Sequence, residues 1–98
     1  MSGWTTFEVH SLNGEFSEAG AELLEEKVKS GSDDLRYRGR KRIVGLLGGY
    51  HRYPDESLVE NLSQYDGVAV IVCVANDTSD MGNTELFIDG ECVEEFEE

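Results

Sequence analysis

The alternation of apolar and polar positions divides the chain into eight segments. Trp4-Thr5-Thr6-Phe7-Glu8-Val9-His10 is rich in β-branched and aromatic residues and sets Phe7 and Val9 between polar neighbours, which predicts a half-buried strand. Asn13-Gly14 marks a turn. Ser17 is a good helix N-cap, Glu18 and Glu22 follow near the positive helix end, and Phe16 is placed to staple the first turn. Leu23, Leu24 and Val28 then share a helical face until Ser30-Gly31-Ser32, so a helix is expected over about residues 17–29. Leu35-Arg36-Tyr37-Arg38 alternates like a strand. Gly39-Arg40 fits a tight turn, and Arg42-Ile43-Val44-Gly45-Leu46-Leu47 fits a returning strand that stops at Gly48-Gly49. A loop followed by one longer strand over 40–48 is the alternative.

Pro54 suits the first turn of a second helix, along which Leu58, Leu62 and Tyr65 stack at i, i+4 and i+7 until Gly67. The run Val68-Ala69-Val70-Ile71-Val72-Cys73-Val74-Ala75 is apolar on both faces, the pattern of a strand in mid-sheet covered on at least part of both sides. A polar loop is expected from Asn76 to Asn83. Thr84–Ile88, Asp89-Gly90 and Glu91–Phe96 then read as a hairpin closed by a type I′ turn, with Leu86 facing Val93 and Phe87 facing Cys92. The order predicts an α+β fold: a ferredoxin-like sandwich (β-α-β-β-α-β) with an added C-terminal β-hairpin and helices on one face of a mainly antiparallel sheet. The added hairpin is expected to extend that sheet or to pair with another subunit. No repeat or linker interrupts residues 1–98, so one domain is expected. A chain of this length buries roughly 60–65% of its unfolded surface, enough for one modest core.

Charge changes this picture. The 21 acids and 8 bases give a net charge of −13, yet Arg36, Arg38, Arg40, Lys41, Arg42 and Arg52 fall in a stretch without a single acid. The remainder carries all 21 acids against only Lys27 and Lys29. Two readings of the acidity compete. Many carboxylates keep a surface hydrated in molar salt, where a Debye length of about 3 Å makes their repulsion tolerable. Scarce lysine, a preference for arginine and acids on nearly every element fit that reading, and the composition resembles that of cytoplasmic proteins from extreme halophiles. Alternatively the acidity is itself the function, as in a nucleic-acid mimic. The 68–75 run argues against disorder. No stretch of about 18 apolar residues marks a membrane span, and the first residues lack a secretory leader's basic and apolar regions, so the cytoplasm is expected.

Candidate chemistry is sparse. No CxxC or HxxxH pair exists, and a zinc site from His10, His51, Cys73 and Cys92 would need four distant positions to converge. A Cys73–Cys92 disulfide is improbable in a cytosolic protein. Gly45-Leu46-Leu47-Gly48-Gly49 lacks the spacing of a dinucleotide or P-loop motif and reads as a bend or bulge. Asn76, Asp77 and Asp80 offer hard oxygen ligands, but without the EF-hand pattern, and the same residues close turns with their own side chains. His10 and His51 are the chain's two imidazoles, and His51 reads as part of the basic surface. Ser57, Ser63, Ser79 and the cysteines lack a recognisable nucleophile context. No cofactor and no metal site is expected, nor is catalysis.

The basic stretch remains. In an extended chain Arg36, Arg38, Arg40 and Arg42 fall on one face, provided no turn at Gly39 breaks the parity. Tyr37, Tyr50 and Tyr53 interleave with the bases, and arginine forks with tyrosine faces suit phosphates or carboxylates. The RNA-recognition signature fails here, because Arg38-Gly39 is followed by Arg40, Lys41 and Arg42 where aromatics are needed. The expected binding surface is Arg36, Tyr37, Arg38, Arg40, Lys41, Arg42, Tyr50, His51 and Arg52. Its expected partner is an acidic protein, a second copy of the chain, or nucleic acid; the bland reading is that these bases pair with the chain's own acids. The competing functions are an acidic mimic that inhibits a basic protein, and a metal-dependent enzyme using the 76–83 loop.

Overall fold

Six strands pair into one sheet in the order β2-β3-β1-β4-β5-β6, every neighbouring pair antiparallel. The computed structural model describes residues 3–49, 52–76 and 81–97. The elements run β1 (Gly3–Ser11), α1 (Glu18–Ser30), β2 (Asp34–Arg38), β3 (Arg42–Gly48), α2 (Glu56–Ser63), β4 (Val68–Asn76), β5 (Met81–Ile88) and β6 (Glu91–Glu97). The fold is α+β, and the C-terminal hairpin extends the sheet rather than leaving it.

Strand register builds the core. Phe7 lies between Gly45 and Val72, Val9 lies between Ile43 and Val70, and Phe87 continues the row opposite Val70. Strand side chains repeat every two residues, so these groups share one face. Ala21, Leu24 and Val28 of α1 and Val59 and Leu62 of α2 pack into the same buried cluster, each large side chain contributing about 1.5–3 kcal/mol. Both helices therefore lie on the Phe7 face.

The helix ends follow local chemistry. Gly20 N–H donates to Ser17 Oγ at 3.0 Å, the expected N-cap of α1. The inward stripe differs from expectation: Ala21, Leu24 and Val28 are buried, whereas Leu23 is 43% exposed. Spacings of three and four keep a stripe aligned at 3.6 residues per turn, and Leu23 falls off it. α2 starts later than Pro54 suggests, because the Asp55 carboxylate accepts from Ser57 N–H at 2.9 Å and caps it. It ends at Ser63, so Tyr65 lies beyond it and is exposed. Gly67, at φ +74°, serves the turn into β4 instead.

The two hairpins hold. The β5–β6 turn has Asp89 at φ 55° and Gly90 at φ 82°, the left-handed pair a type I′ turn requires. Phe87 faces Cys92, but a bulge sets Glu94 rather than Val93 opposite Leu86. Ser63 ties this turn to α2: its carbonyl accepts from Asp89 N–H at 2.9 Å and its Oγ from Gly90 N–H at 2.8 Å. Of the stretch expected as a polar loop, Asn76 belongs to β4 and Met81, Gly82 and Asn83 to β5; Asp77, Thr78, Ser79 and Asp80 lie outside the described residues.

β4 departs from expectation in an instructive way. Val68, Val70 and Val72 are buried under the helices; on the other side Ala69 is buried too, but Ile71, Cys73 and Ala75 are only half-buried. Among the described residues no helix covers that side.

The tightest helix–sheet approach is at Gly45. A Cβ there would run into Ser32 Oγ and sit 2.8 Å from Val28 Cγ1, while one at Gly48 would meet only Asp33 Oδ2 at 4.0 Å. Gly45→Ala is expected to cost about 1–3 kcal/mol, seen as a drop of roughly 4–8 °C in melting temperature per kcal/mol. Gly48→Ala is expected to melt near the parent. Equal melting of the two variants would contradict this packing.

Candidate binding surface

The basic stretch is divided among three places. A bulge in β2 makes Arg36 an extra residue: Leu35 pairs with Gly45 on the helix-covered face, and Tyr37 pairs with Val44 on the opposite one. The bulge breaks the parity between Arg36 and Arg38, and the turn at Gly39, closed by its N–H donating to the Arg42 carbonyl at 2.9 Å, sets Arg38 opposite Ile43 and so on the other face from Arg42. Arg38 turns toward α1, where its Nε donates to Glu25 Oε1 at 2.9 Å, and Lys29 holds the other oxygen at 3.3 Å. Arg40 is taken up by the β1–α1 connection, its Nε donating to the Phe16 carbonyl at 2.8 Å. Arg42 lies over the Tyr37 ring, 5.0 Å from the centroid.

Arg52 sits at the other end of β3, roughly 20 Å from Arg42 at about 3.3 Å per residue. It clamps Asp33, Nη1 to Oδ2 at 3.1 Å and Nη2 to Oδ1 at 3.2 Å, and Nη1 also donates to the Gly48 carbonyl at 3.0 Å. Thr5 Oγ1 donates to the Arg52 carbonyl and pins the following loop over β1. Tyr50 and His51 lie outside the described residues. Of the nine candidate residues, Arg36, Tyr37, Lys41 and Arg42 therefore gather at one corner of the sheet. Among the described residues Arg36, Lys41 and Arg42 make no ion pair.

That corner borders a surface that the sequence pattern concealed. The sheet face opposite the helices carries Val44 and Leu46 of β3, Ala69, Ile71 and Cys73 of β4, and Leu86 and Ile88 of β5. Trp4 closes one end, 41% exposed. Polar groups on this face satisfy one another. Glu8 accepts from Thr6 Oγ1 at 3.1 Å and pairs with His10 Nε2 at 3.0 Å, and Thr84 Oγ1 donates to Cys73 Sγ at 3.2 Å. The far edge is acidic, with Glu94 at the register of Leu86 and Glu91 at that of Ile88. The signal for this face was present in the two-sided apolar run of β4 and in a count of only two helices.

Other features bind less convincingly. Glu56, Glu60, Glu85 and Glu91 line a shallow groove between α2 and the β5–β6 hairpin. Tyr53 lies in it and donates to Glu85. Burial, then the Glu85 carboxylate, push its phenol far above the usual range, so it stays neutral. Cys73 and Cys92 are free and point to opposite faces of the sheet. Among the described residues no group of three or more His, Cys, Asp and Glu is placed to hold a metal, and no helix is long and apolar enough to cross a membrane. The chain matches no protein-family model, no curated protein and no solved structure.

The Asp33 clamp yields a pH prediction. The Gly48 N–H, at 2.9 Å, and then Arg52 hold its carboxyl below the ordinary Asp value of 3.8. A depressed folded-state pKa means the stabilisation is complete above the unfolded value and is lost as pH falls through the folded one. An NMR titration is expected to find Asp33 below 3.8, moving up in Arg52→Gln without fully reaching it, because the Gly48 bond remains. An unchanged midpoint in the variant would contradict the clamp.

Proposed function

We propose that this chain is a small, non-enzymatic binding protein of a high-salt cytoplasm, which engages an anionic partner through the Arg36, Tyr37, Lys41 and Arg42 corner and the apolar sheet face beside it. The observation that carries this reading is the uncovered side of β4 and its neighbours: apolar rows with no helix over them, bordered by cations that make no ion pair in the described chain. The apolar groups of β3 and of β4–β5 flank a polar row on β1 whose Thr6, Glu8 and His10 bond to one another, and apolar surface of this extent supports an interaction site. Arg38, Arg40 and Arg52 support the fold and lie outside the proposed contact. The apolar strip favours a polypeptide over a nucleic acid, because phosphate contacts lose affinity steeply with salt and a few arginines hold little in molar salt.

The finer fold assignment belongs to the same proposal. A ferredoxin-like unit extended by a hairpin is supported by the interleaving of helix-linked strands, with β1 between β3 and β4. The mimic reading would use the other side of the molecule, where Glu56, Glu60, Glu85 and Glu91 share one groove.

Two measurements test the proposal. Melting temperature is expected to rise as KCl is increased from about 0.1 M to about 2 M, because screening relieves the −13 self-repulsion; a flat or falling curve contradicts the high-salt setting. Affinity capture from cells that make the chain, at their internal salt and with or without nuclease, is expected to yield a nuclease-insensitive protein partner lost in Arg36→Glu/Arg42→Glu. Capture unchanged in that variant contradicts the surface, and nuclease-sensitive capture points to nucleic acid.

A further inference from the structure

Resting on that binding reading and naming its partner, we infer that the occupant of the helix-free sheet face is a second copy of this chain, packed face to face about a two-fold axis parallel to the strands between β1 and β4.

The strand order sets up the geometry. The midline of β2-β3-β1-β4-β5-β6 falls between β1 and β4. A two-fold axis along that midline, in the plane of contact, reverses the strand order of the second copy. β1 then lies over β4, β3 over β5, and β2 over β6. One row of the register reads Tyr37, Val44, Glu8, Ile71, Leu86, Glu94 from edge to edge. Inverted over itself, this row puts Tyr37 against Glu94, Val44 against Leu86 and, at the centre, Glu8 against Ile71. Arg42, stacked on Tyr37, then reaches the acidic edge of the other copy twice over, once on each side of the axis.

The alternative two-fold axis, across the strands, lays β2 over β2 and β6 over β6. It opposes like charges at both edges, and like charges across an interface disfavour that arrangement. Charge therefore selects the strand-parallel axis. The face is also compatible with burial at its centre. Both Glu8 oxygens are occupied within the chain, by Thr6 and His10, and a paired polar group is far cheaper to cover than an open one.

The area suffices. Six strands about 4.8 Å apart span roughly 24 Å, and seven residues reach roughly 23 Å, a face on the order of 550 Å² per copy. A pair buries roughly 1,100 Å², which clears the threshold of about 1,000 Å² for a specific interface. Salt acts in an unusual direction. Each copy carries −13, so long-range repulsion opposes association until the Debye length shrinks from about 8 Å to about 3 Å. The dimer is a high-salt form.

Sedimentation equilibrium of the full chain tests this. The expected result is a dimer whose Kd falls at least about tenfold from about 0.15 M to about 1 M KCl. Arg42→Glu and Glu94→Arg are each expected to weaken self-association at least about tenfold. An equimolar mixture of the two restores dimers, as does the doubly substituted chain, because each then places opposite charges across the axis. Ile71→Asp, folded by circular dichroism, is expected to be monomeric. A parent chain monomeric at every salt concentration, a mixture that fails to recover, or an Ile71→Asp dimer each overturns the inference. A monomeric parent that still shows Arg42-dependent capture overturns self-association alone, and a monomeric parent without such capture removes the binding surface as well.

Discussion

Among the described residues two helices cover one face of a six-stranded sheet and leave the other without a helix. The rest of the structure depends on that constraint. The face that α1 and α2 cover is a continuous core running from Ile43 through Phe7 and Val72 to Phe87. The other face has apolar residues along β4 as well, and no helix among the described residues lies over it. Its edges are charged with opposite sign, which blunts like-with-like strand pairing at β2 or β6 and leaves the flat of the sheet as the surface for contact.

Electrostatic magnitudes decide when such a face is used. Two bodies of −13 treated as points about 20 Å apart repel by on the order of 35 kcal/mol in pure water. Screening cuts this to about 3 kcal/mol at 0.15 M salt and to almost nothing at 1 M. A local Arg42–Glu94 contact, half exposed, is worth at most about 1 kcal/mol. In the proposed dimer, orientation would come from the charged edges, and association would become favourable only where salt has silenced the net charge. On that proposal the acidic composition and the apolar face serve the same high-salt medium.

Much of the fold was legible because local chemistry decided it. Ser17 capped α1 where the pattern placed it, and Asp89-Gly90 supplied the positive φ values that fix a type I′ turn. The bulges at Arg36 and Val93 were not legible, since one inserted residue in a strand of five or seven leaves no trace in a period of two. That extra residue in β2 offset Arg36 from Arg38, and the turn at Gly39 set Arg38 opposite Ile43, on the other face from Arg42, so the cationic strip was split. Arg52 read as part of the strip by sequence distance, but its loop carries it to Asp33 at the far end of β3. The apolar face was written into β4 itself, whose two-sided pattern demanded a cover that this chain supplies on one side only.

The account turns on whether Val44, Ile71 and Leu86 meet solvent when the protein is concentrated in molar salt. Methyl NMR with a soluble paramagnetic agent measures that directly. These methyls are expected to lose their relaxation enhancement as protein concentration rises in about 1 M KCl, while the exposed Leu23 methyls on α1 keep theirs. Enhancement at Ile71 that stays constant across the concentration range would contradict the account.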